Sequence, residues 1–346
     1  MKPAAPWILL GAATAAAALA LSAAGFPSPT LFAALLAGLA FALTRPHAGV
    51  QIPHGAFVAA QAVCGVTLGA YLQRDALRAL GDAWLPVTLV SAATLALSLG
   101  AGRVLARFTT LDGPTATLGM IAGGASGIVT MASDIGGDDR LVAFMQYLRV
   151  LVVVLLTPIL VAIAGGGTGT PTAAQPTDAL PDWLLTAALA PAGALLARRV
   201  RLPAGTLLGP LLAAGALTLA GVTFAVPPVA RELAFALIGL QVGLRFTTGT
   251  VRLLGRLLVP VLIALAALLG GCAALAVPLH LTADVSLRDA YLATTPGGLY
   301  AVLAVAFGAG ANTTFILAVQ SLRLLVAVLL APLAVRAAYG RTRPGP

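Results

Sequence analysis

Two copies of a Gln-x-x-Arg pattern lie inside otherwise apolar stretches of this sequence, Gln146 with Arg149 and Gln320 with Arg323. Side chains three residues apart share one face of a helix, and a charged side chain inside a membrane segment is costly and by default marks function. The pattern predicts an arginine and glutamine pair that contacts an anionic substrate. The alternative is an internal counter-charge, with Arg149 neutralising Asp134 or receiving the carbonyl end of a broken helix.

Each pair follows a glycine-rich stretch, "GGASG" at 123–127 and "PGG" at 296–298. Glycine lets another backbone or a ligand approach closely, and proline stops a helix. The two breaks therefore predict a substrate site near the membrane midplane, with tight packing of helices by small residues as the alternative. The predicted substrate-binding residues of the breaks are Gly123, Gly124, Ser126, Pro296, Gly297 and Gly298. Asp134 is a candidate for ion or proton coupling.

Composition places the chain in the membrane. Of its 346 residues, 60% are hydrophobic and only 9% are charged, which excludes a disordered or ordinary soluble protein and predicts a polytopic helical one in a lipid bilayer. The net charge of +9 comes from arginines in short loops between apolar segments, so it indicates topology. We expect no direct nucleic-acid partner, since no segment is long enough for a soluble DNA-reading domain.

Residues for redox or metal chemistry are scarce. Cys64 and Cys272 lie deep in apolar segments, and the three histidines are isolated from one another. No cluster of His, Cys and carboxylates has the spacing of metal ligands. The sequence therefore predicts no metal, no cofactor and no catalytic residue.

The chain matches itself when it is shifted by 174 residues. Four prolines align where composition alone predicts about one match, which indicates a duplication. The aligned prolines are Pro29 with Pro203, Pro53 with Pro227, Pro86 with Pro260, and Pro158 with Pro332. The predicted organisation is a first membrane repeat at 1–164, a flexible linker at 165–181 and a second membrane repeat at 182–346.

Six apolar elements are predicted in the first half, near 7–24, 29–44, 54–73, 84–104, 114–133 and 140–163. The fifth element holds the first break. If it crosses the membrane, each half has six spans and the copies are parallel; if it does not, each half has five spans and the copies are inverted.

Arginine placement favours the inverted arrangement. With a cytoplasmic N-terminus it puts all but four of the loop cations inside, the four being Arg74, Arg78, Arg231 and Arg288. The parallel arrangement splits the same cations evenly, against the positive-inside rule. The predicted fold is an all-α polytopic membrane protein of two inverted repeats. Each repeat has about five transmembrane helices plus a broken or re-entrant glycine-rich element, and both termini are cytoplasmic.

Three stretches resemble the AbrB family of bacterial membrane proteins, whose members carry a membrane duplication. These are "GGDDRLVAFMQYLRVLVVVLLTP" (136–158), "LPAGTLLGPLLAA" (202–214) and "TPGGLYAVLAVAFGAGANTTFILAVQSLRLLVAVLLAP" (295–332). One departure is Ala301, where the family pattern commonly has a glutamate. Members are labelled ammonia monooxygenase or transcriptional regulator, and the monooxygenase label finds no metal or cofactor ligands here. The expected inverted repeat also looks like bile-acid-symporter and cation/proton-antiporter folds, by analogy only.

These patterns predict a secondary transporter in the cytoplasmic (inner) membrane that moves a small, anionic metabolite by alternating access. The alternative is a membrane-embedded sensor that affects gene expression through a partner. An enzyme comes third. The sequence leaves open the substrate, the coupling ion and whether the chain forms a homo-oligomer.

Overall fold

The computed structural model describes residues 5–26, 28–45, 49–72, 74, 78, 81–122, 128, 132, 135–163, 180–200, 202, 205–246 and 255–339. Regular secondary structure in these ranges is helical, without a β-strand. This follows from the composition, because a helix satisfies every backbone hydrogen bond within its own segment, as an apolar surrounding requires.

The first half of the chain forms six helices in the described ranges. They are α1 (Ala5–Ala23), α2 (Pro29–Thr44), α3 (His54–Ala70), α4 (Trp84–Phe108), α5 (Gly113–Met120) and α6 (Asp139–Ile163). Prolines mark two of the starts, since Pro29 opens α2 and Pro53 is the N-cap of α3. The predicted fifth element, near 114–133, begins with the short helix α5, which ends just before the glycine-rich break. The described residues Ile128, Ala132 and Ile135 beyond the break are helical as well.

The second half forms seven α-helices in the described ranges. They are α7 (Leu180–Arg199), α8 (Gly205–Leu219), α9 (Pro228–Gly243), α10 (Leu258–Ala283), α11 (Leu287–Thr294), α12 (Leu299–Gly308) and α13 (Thr313–Tyr339). A short 3-10 helix, Gly255–Leu257, leads into α10. Helix α7 begins at Leu180, within the predicted linker, whereas residues 164–179 lie outside the described ranges.

Helix boundaries repeat with the same shift of 174 residues that aligns the sequence. Helix α5 falls on α11 at both ends, and the first residues of α3, α4 and α6 fall on those of α9, α10 and α13. The two halves therefore use one succession of helices. Their inverted orientation stays a prediction.

One compact unit consists of the described parts of 1–78, 157–248 and 300–314. It contains α1–α3, α7–α9 and α12, with α3 packed on α8 and α2 packed on α9. Glycines make these two close packings possible. A Cβ added at Gly65 would meet the backbone of Leu207, and one added at Gly239 would meet the backbone of Leu31. Such small-residue contacts are how membrane helices approach one another closely.

The other compact unit consists of the described parts of 79–156, 249–299 and 315–346. Here α4 packs on α10, α5 lies against α4, and α11 lies against α10. Its core includes buried apolar side chains from α4, α5, α6 and α13, among them Leu95, Leu118, Ile121, Val142, Ala327 and Ala331. Each unit thus takes helices from both sequence halves, so packing does not follow the predicted repeat boundaries at 164 and 182, which stay a prediction.

In the part of the chain that the structure describes, six helices are long and apolar enough to cross a membrane. They are Pro6–Ala23, Trp84–Phe108, Asp139–Thr157, Leu180–Arg199, Gly255–Ala283 and Thr313–Tyr339. These segments belong to the first, fourth and last predicted elements of each half. The second and third elements form α2, α3, α8 and α9, which have 15–17 residues. At 1.5 Å per residue they extend about 25 Å, short of the roughly 30 Å apolar layer of a bilayer.

The surface supports contact with lipid. Large apolar side chains on the long helices are exposed, such as Leu19 at 73%, Phe108 at 80% and Leu281 at 73%. In water such exposure would be unfavourable, whereas lipid tails solvate it. The chain therefore has the features of a multi-span helical membrane protein.

Candidate functional site

Two short helices, α5 and α11, end inside the second compact unit. Each has eight residues, and each is capped at its start by a side chain that accepts a backbone N–H, Asp112 from Thr115 and Ser286 from Asp289.

Both short helices end in an extended residue, Ile121 in the first and Thr295 in the second. Pro296 follows Thr295, and a residue before proline is disfavoured in helical conformation. The carbonyl groups of the last turn of each helix thus need partners from elsewhere.

The first Gln-x-x-Arg pair supplies those partners to α5. The Gln146 amide donates to the carbonyl oxygens of Leu118, at 2.8 Å, and Ile121, at 2.9 Å. The Arg149 guanidinium donates through Nη1 to the carbonyl oxygen of Ile121, at 2.8 Å, and through Nη2 to Oε1 of Gln146, at 2.9 Å. The glutamine and the arginine thus act together as a clamp on the carbonyl end of the helix.

The second pair makes the same contacts with α11. The Gln320 amide donates to the carbonyl oxygens of Leu292, at 2.8 Å, and Thr295, at 3.1 Å. The Arg323 guanidinium donates through Nη1 to the carbonyl oxygens of Thr294, at 3.1 Å, and Thr295, at 2.8 Å. Its Nη2 donates to Oε1 of Gln320, at 2.5 Å. The contacts of the two Gln-Arg clamps correspond under the 174-residue shift, and Arg323 makes one further bond, to Thr294.

Both arginines are almost fully buried, with 3% of Arg149 and 5% of Arg323 exposed. Within the described ranges neither guanidinium lies at ion-pair distance from a carboxylate, and the Nε atom of each is buried without a hydrogen-bond partner. A cation at a helix C-terminus interacts favourably with the helix dipole. The geometry matches the alternative in which Arg149 receives the carbonyl end of a broken helix, and the Nε–H is among the guanidinium donors that stay available for a further acceptor.

A small cavity adjoins one of the two clamps. It is lined by Arg323, Pro296, Thr94, Ser98, Leu95, Ala122 and Ala327, and its volume is about 10 Å³. That volume is close to the lower limit for holding one water molecule. The site as it stands therefore has room for about one water molecule.

The structure brings some of the predicted site residues together. Gln320, Arg323 and Pro296 meet at the end of α11, and Gln146 and Arg149 meet at the end of α5. Gly297 and Gly298 lie in the non-helical stretch between α11 and α12.

A Cβ added at Gly298 would lie 3.3 Å from the side chain of Val150, so a larger residue here would force that side chain to shift by a few tenths of an ångström. Gly123, Gly124, Ser126 and Asp134 lie outside the described residues, and their roles stay predictions.

Sequence reasoning missed Thr94 and Ser98 of α4. Both are buried, and together with Ser91 they place hydroxyls at intervals of three and four residues, which is one face of a helix. That spacing in an apolar segment is the signal that could have identified them. Hydroxyls on membrane helices commonly bond to their own backbone, so the pattern alone does not reveal a site.

The described ranges bring no three His, Cys, Asp or Glu side chains together where they could hold a metal ion. Cys64 and Cys272 are free and buried. The expected lack of a metal, a cofactor and catalytic residues stays a prediction, as does the exclusion of an enzyme.

Comparison with known proteins finds relatives of this chain. A family model described as "Transition state regulatory protein AbrB" matches residues 30–339. A protein of Escherichia coli (strain K12) named "Putative regulator AbrB" is 36% identical over 312 residues, which is 88% of this chain and 88% of that protein. A protein of Bacillus subtilis (strain 168) named "Uncharacterized protein YhjN" is 26% identical over 290 residues, which is 79% of this chain and 76% of that protein.

Proposed function

This chain belongs to the AbrB family, and from that premise we propose that it is a secondary transporter that moves a small anion across the cytoplasmic membrane by alternating access. The observation that carries the proposal is the pair of buried guanidiniums without carboxylate partners in the described residues. Buried charges in proteins are normally paired, so an anionic ligand is the missing partner of this site.

The charge of the site supports a ligand with one negative charge. A helix C-terminus carries at most about half an elementary negative charge. Each Gln-Arg clamp sets one full positive charge against one such terminus, so about half a positive charge is left at each clamp. Together the two clamps leave roughly one elementary charge for a ligand to neutralise.

The interrupted elements support transport as the activity. Paired interruptions at matching positions in two halves mark the substrate site in many transporter folds. Here α5 and α11 match at both ends, and each ends next to a predicted break. A ligand held at such ends contacts the parts of the backbone that can move as the site opens to either side.

Transport is tested with purified protein in liposomes. We expect uptake of small radiolabelled monocarboxylates under a proton or sodium gradient, and we expect Arg323→Gln to lower the uptake at least tenfold because the cation is lost. Arg103→Gln is the matched control, since Arg103 is exposed on α4 and its loss leaves the site intact. If no organic anion moves under any ion gradient, and ligand-induced thermal shifts are unchanged in Arg323→Gln, the proposal is wrong.

The proposed topology has five spans in each inverted half, with the segment 165–179 outside and both termini inside. Thr170→Cys is therefore expected to react with a membrane-impermeant maleimide added to intact cells. Thr342→Cys is the control and is expected to react only after the cells are opened. The native cysteines are buried and contribute little background. Labelling of Thr170→Cys only in opened cells would rule out the inverted arrangement.

A second candidate function is a membrane-embedded sensor that affects gene expression through a partner. The name of the Escherichia coli relative, which calls it a regulator, favours this candidate. The two functions separate in a variant that is inserted stably but does not transport. If such a variant preserves every change in gene expression that the wild-type protein causes, the sensor is the better description.

A further inference from the structure

The two Gln-Arg clamps are alike, but the walls beside them are not. The cavity beside Arg323 is lined on one side by the hydroxyl-bearing residues Thr94 and Ser98, which are 3% and 2% exposed. Under the 174-residue shift their positions correspond to Leu268 and Cys272, which are also buried. The duplication therefore preserved the arginine in both copies and placed a polar wall in only one.

The side chains at the matched positions also differ in size, and the smaller ones lie beside Arg323. Ala327, which lines the cavity beside Arg323, corresponds to Val153 in the first copy, and Thr94 corresponds to the larger Leu268. Larger apolar side chains at matched positions leave less room and provide fewer hydrogen-bonding partners. The copy that contains Arg323 is the one suited to a ligand.

The directions of the hydrogen bonds define what this wall can bind. The Thr94 hydroxyl donates to the carbonyl oxygen of Ser91, at 2.8 Å, and the Ser98 hydroxyl donates to the carbonyl oxygen of Thr94, at 2.9 Å. With their protons engaged, the two oxygen atoms can only accept. Arg323 provides a hydrogen-bond donor, because its Nε–H has no acceptor within the described ranges. A complementary ligand thus has an anionic acceptor for Arg323 and a hydrogen-bond donor for the hydroxyl oxygens.

We propose that the cavity between Arg323 and the Thr94–Ser98 wall is the ligand site, and that it selects small carboxylates that carry a hydroxyl group. This inference rests on the proposed transport function and names its substrate class. A hydroxyl fits better than an ammonium group, since a second cation beside a buried arginine is repelled. Because the cavity has room for about one water molecule, the ligand is small and enters as the cavity widens. Arg149 then holds the end of α5 and adds positive charge to the site.

Matched pairs of acids test this proposal in the liposome assay. Glycolate and acetate differ by one hydroxyl group, as do lactate and propionate. We expect the hydroxy acid of each pair to be taken up at least tenfold faster at low concentration, because a site with buried hydrogen-bonding groups rejects an analogue that leaves them unpaired. The double variant Thr94→Val with Ser98→Ala is expected to reduce this preference to within about twofold.

Cys272→Ala, at the position that corresponds to Ser98, is the matched control and is expected to retain the full preference. A thermal melt in detergent verifies that the variants are folded. If the double variant is not folded, the single variant Ser98→Ala replaces it as the test. We expect Ser98→Ala to weaken the thermal stabilisation that glycolate produces.

Equal uptake of both acids by the wild-type protein, or an undiminished preference in folded variants of the wall, would overturn this inference and leave the transport function standing. Transport restricted to anions without a hydroxyl group would overturn it as well. If no anion is transported at all, the proposed function fails first.

Discussion

Gln146→Leu is expected to lower the free energy of unfolding by about 3 kcal/mol, because a buried polar group left without its hydrogen-bond partner costs about 1–3 kcal/mol and a charged group costs more. The substitution removes the acceptor for Nη2 of Arg149 and the amide donor to the carbonyl oxygens of Leu118 and Ile121. All of these atoms are buried, so water does not replace the lost contacts. Thermal and denaturant unfolding in detergent micelles measure the change.

A double variant separates the Gln-Arg clamp from general damage to the core. Gln146→Leu combined with Arg149→Leu removes the buried charge together with its partner, and it is expected to be more stable than Gln146→Leu alone. The second copy provides a replicate, since Gln320→Leu removes the corresponding contacts of Arg323. A Gln146→Leu protein as stable as wild type would show that the glutamine does not support the buried arginine.

Gly239→Val is expected to destabilise the protein by about 3 kcal/mol or more, because side chains added to a tightly packed interface force its backbone apart. A Cβ at this position would lie 3.0 Å from Cβ of Ala34 and 3.0 Å from the backbone nitrogen of Leu35. These atoms belong to α2, whose packing on α9 is a main contact of the first compact unit. Loss of folded protein on size-exclusion chromatography, or a lower melting temperature, measures the effect.

Two other glycines are matched controls for that substitution. Gly100 of α4 and Gly270 of α10 also lie in the middle of long helices, but a Cβ added to either meets nothing within 4 Å. Alanine at these positions is expected to leave stability unchanged or to raise it by up to about 1 kcal/mol, because alanine favours the helix more than glycine does. If Gly239→Val and Gly270→Ala have equal effects, close helix packing does not explain Gly239.

The contacts shared by the two Gln-Arg clamps and the cavity beside Arg323 indicate different roles for the two arginines. Both arginines bond to the carbonyl end of a short helix, and each has an unpartnered Nε within the described ranges. Of the two, Arg323 lines a cavity together with the buried hydroxyl-bearing residues Thr94 and Ser98. Duplication of a stable supporting contact followed by divergence of one wall accounts for both observations.

Much of the architecture was predictable from local sequence signals. Apolar segments and the prolines at 29 and 53 predicted helices close to α2 and α3, and the two Gln-x-x-Arg pairs were recognised as unusual. The predicted linker extended to 181, whereas α7 begins at Leu180. The sequence could not show how the buried arginines are satisfied, because a backbone carbonyl group leaves no signature in a sequence pattern.

The sequence by itself determined the membrane class, the duplication and the places where helices stop, because hydropathy, proline and glycine act over a few residues. Only the tertiary structure decided what the guanidiniums contact and which of them adjoins a cavity lined by Thr94 and Ser98. Arg149 reaches a carbonyl group 28 residues away, and Arg323 meets Thr94 and Ser98 from the other half of the chain. Such pairings depend on how helices distant in the sequence pack against one another, which no local pattern encodes.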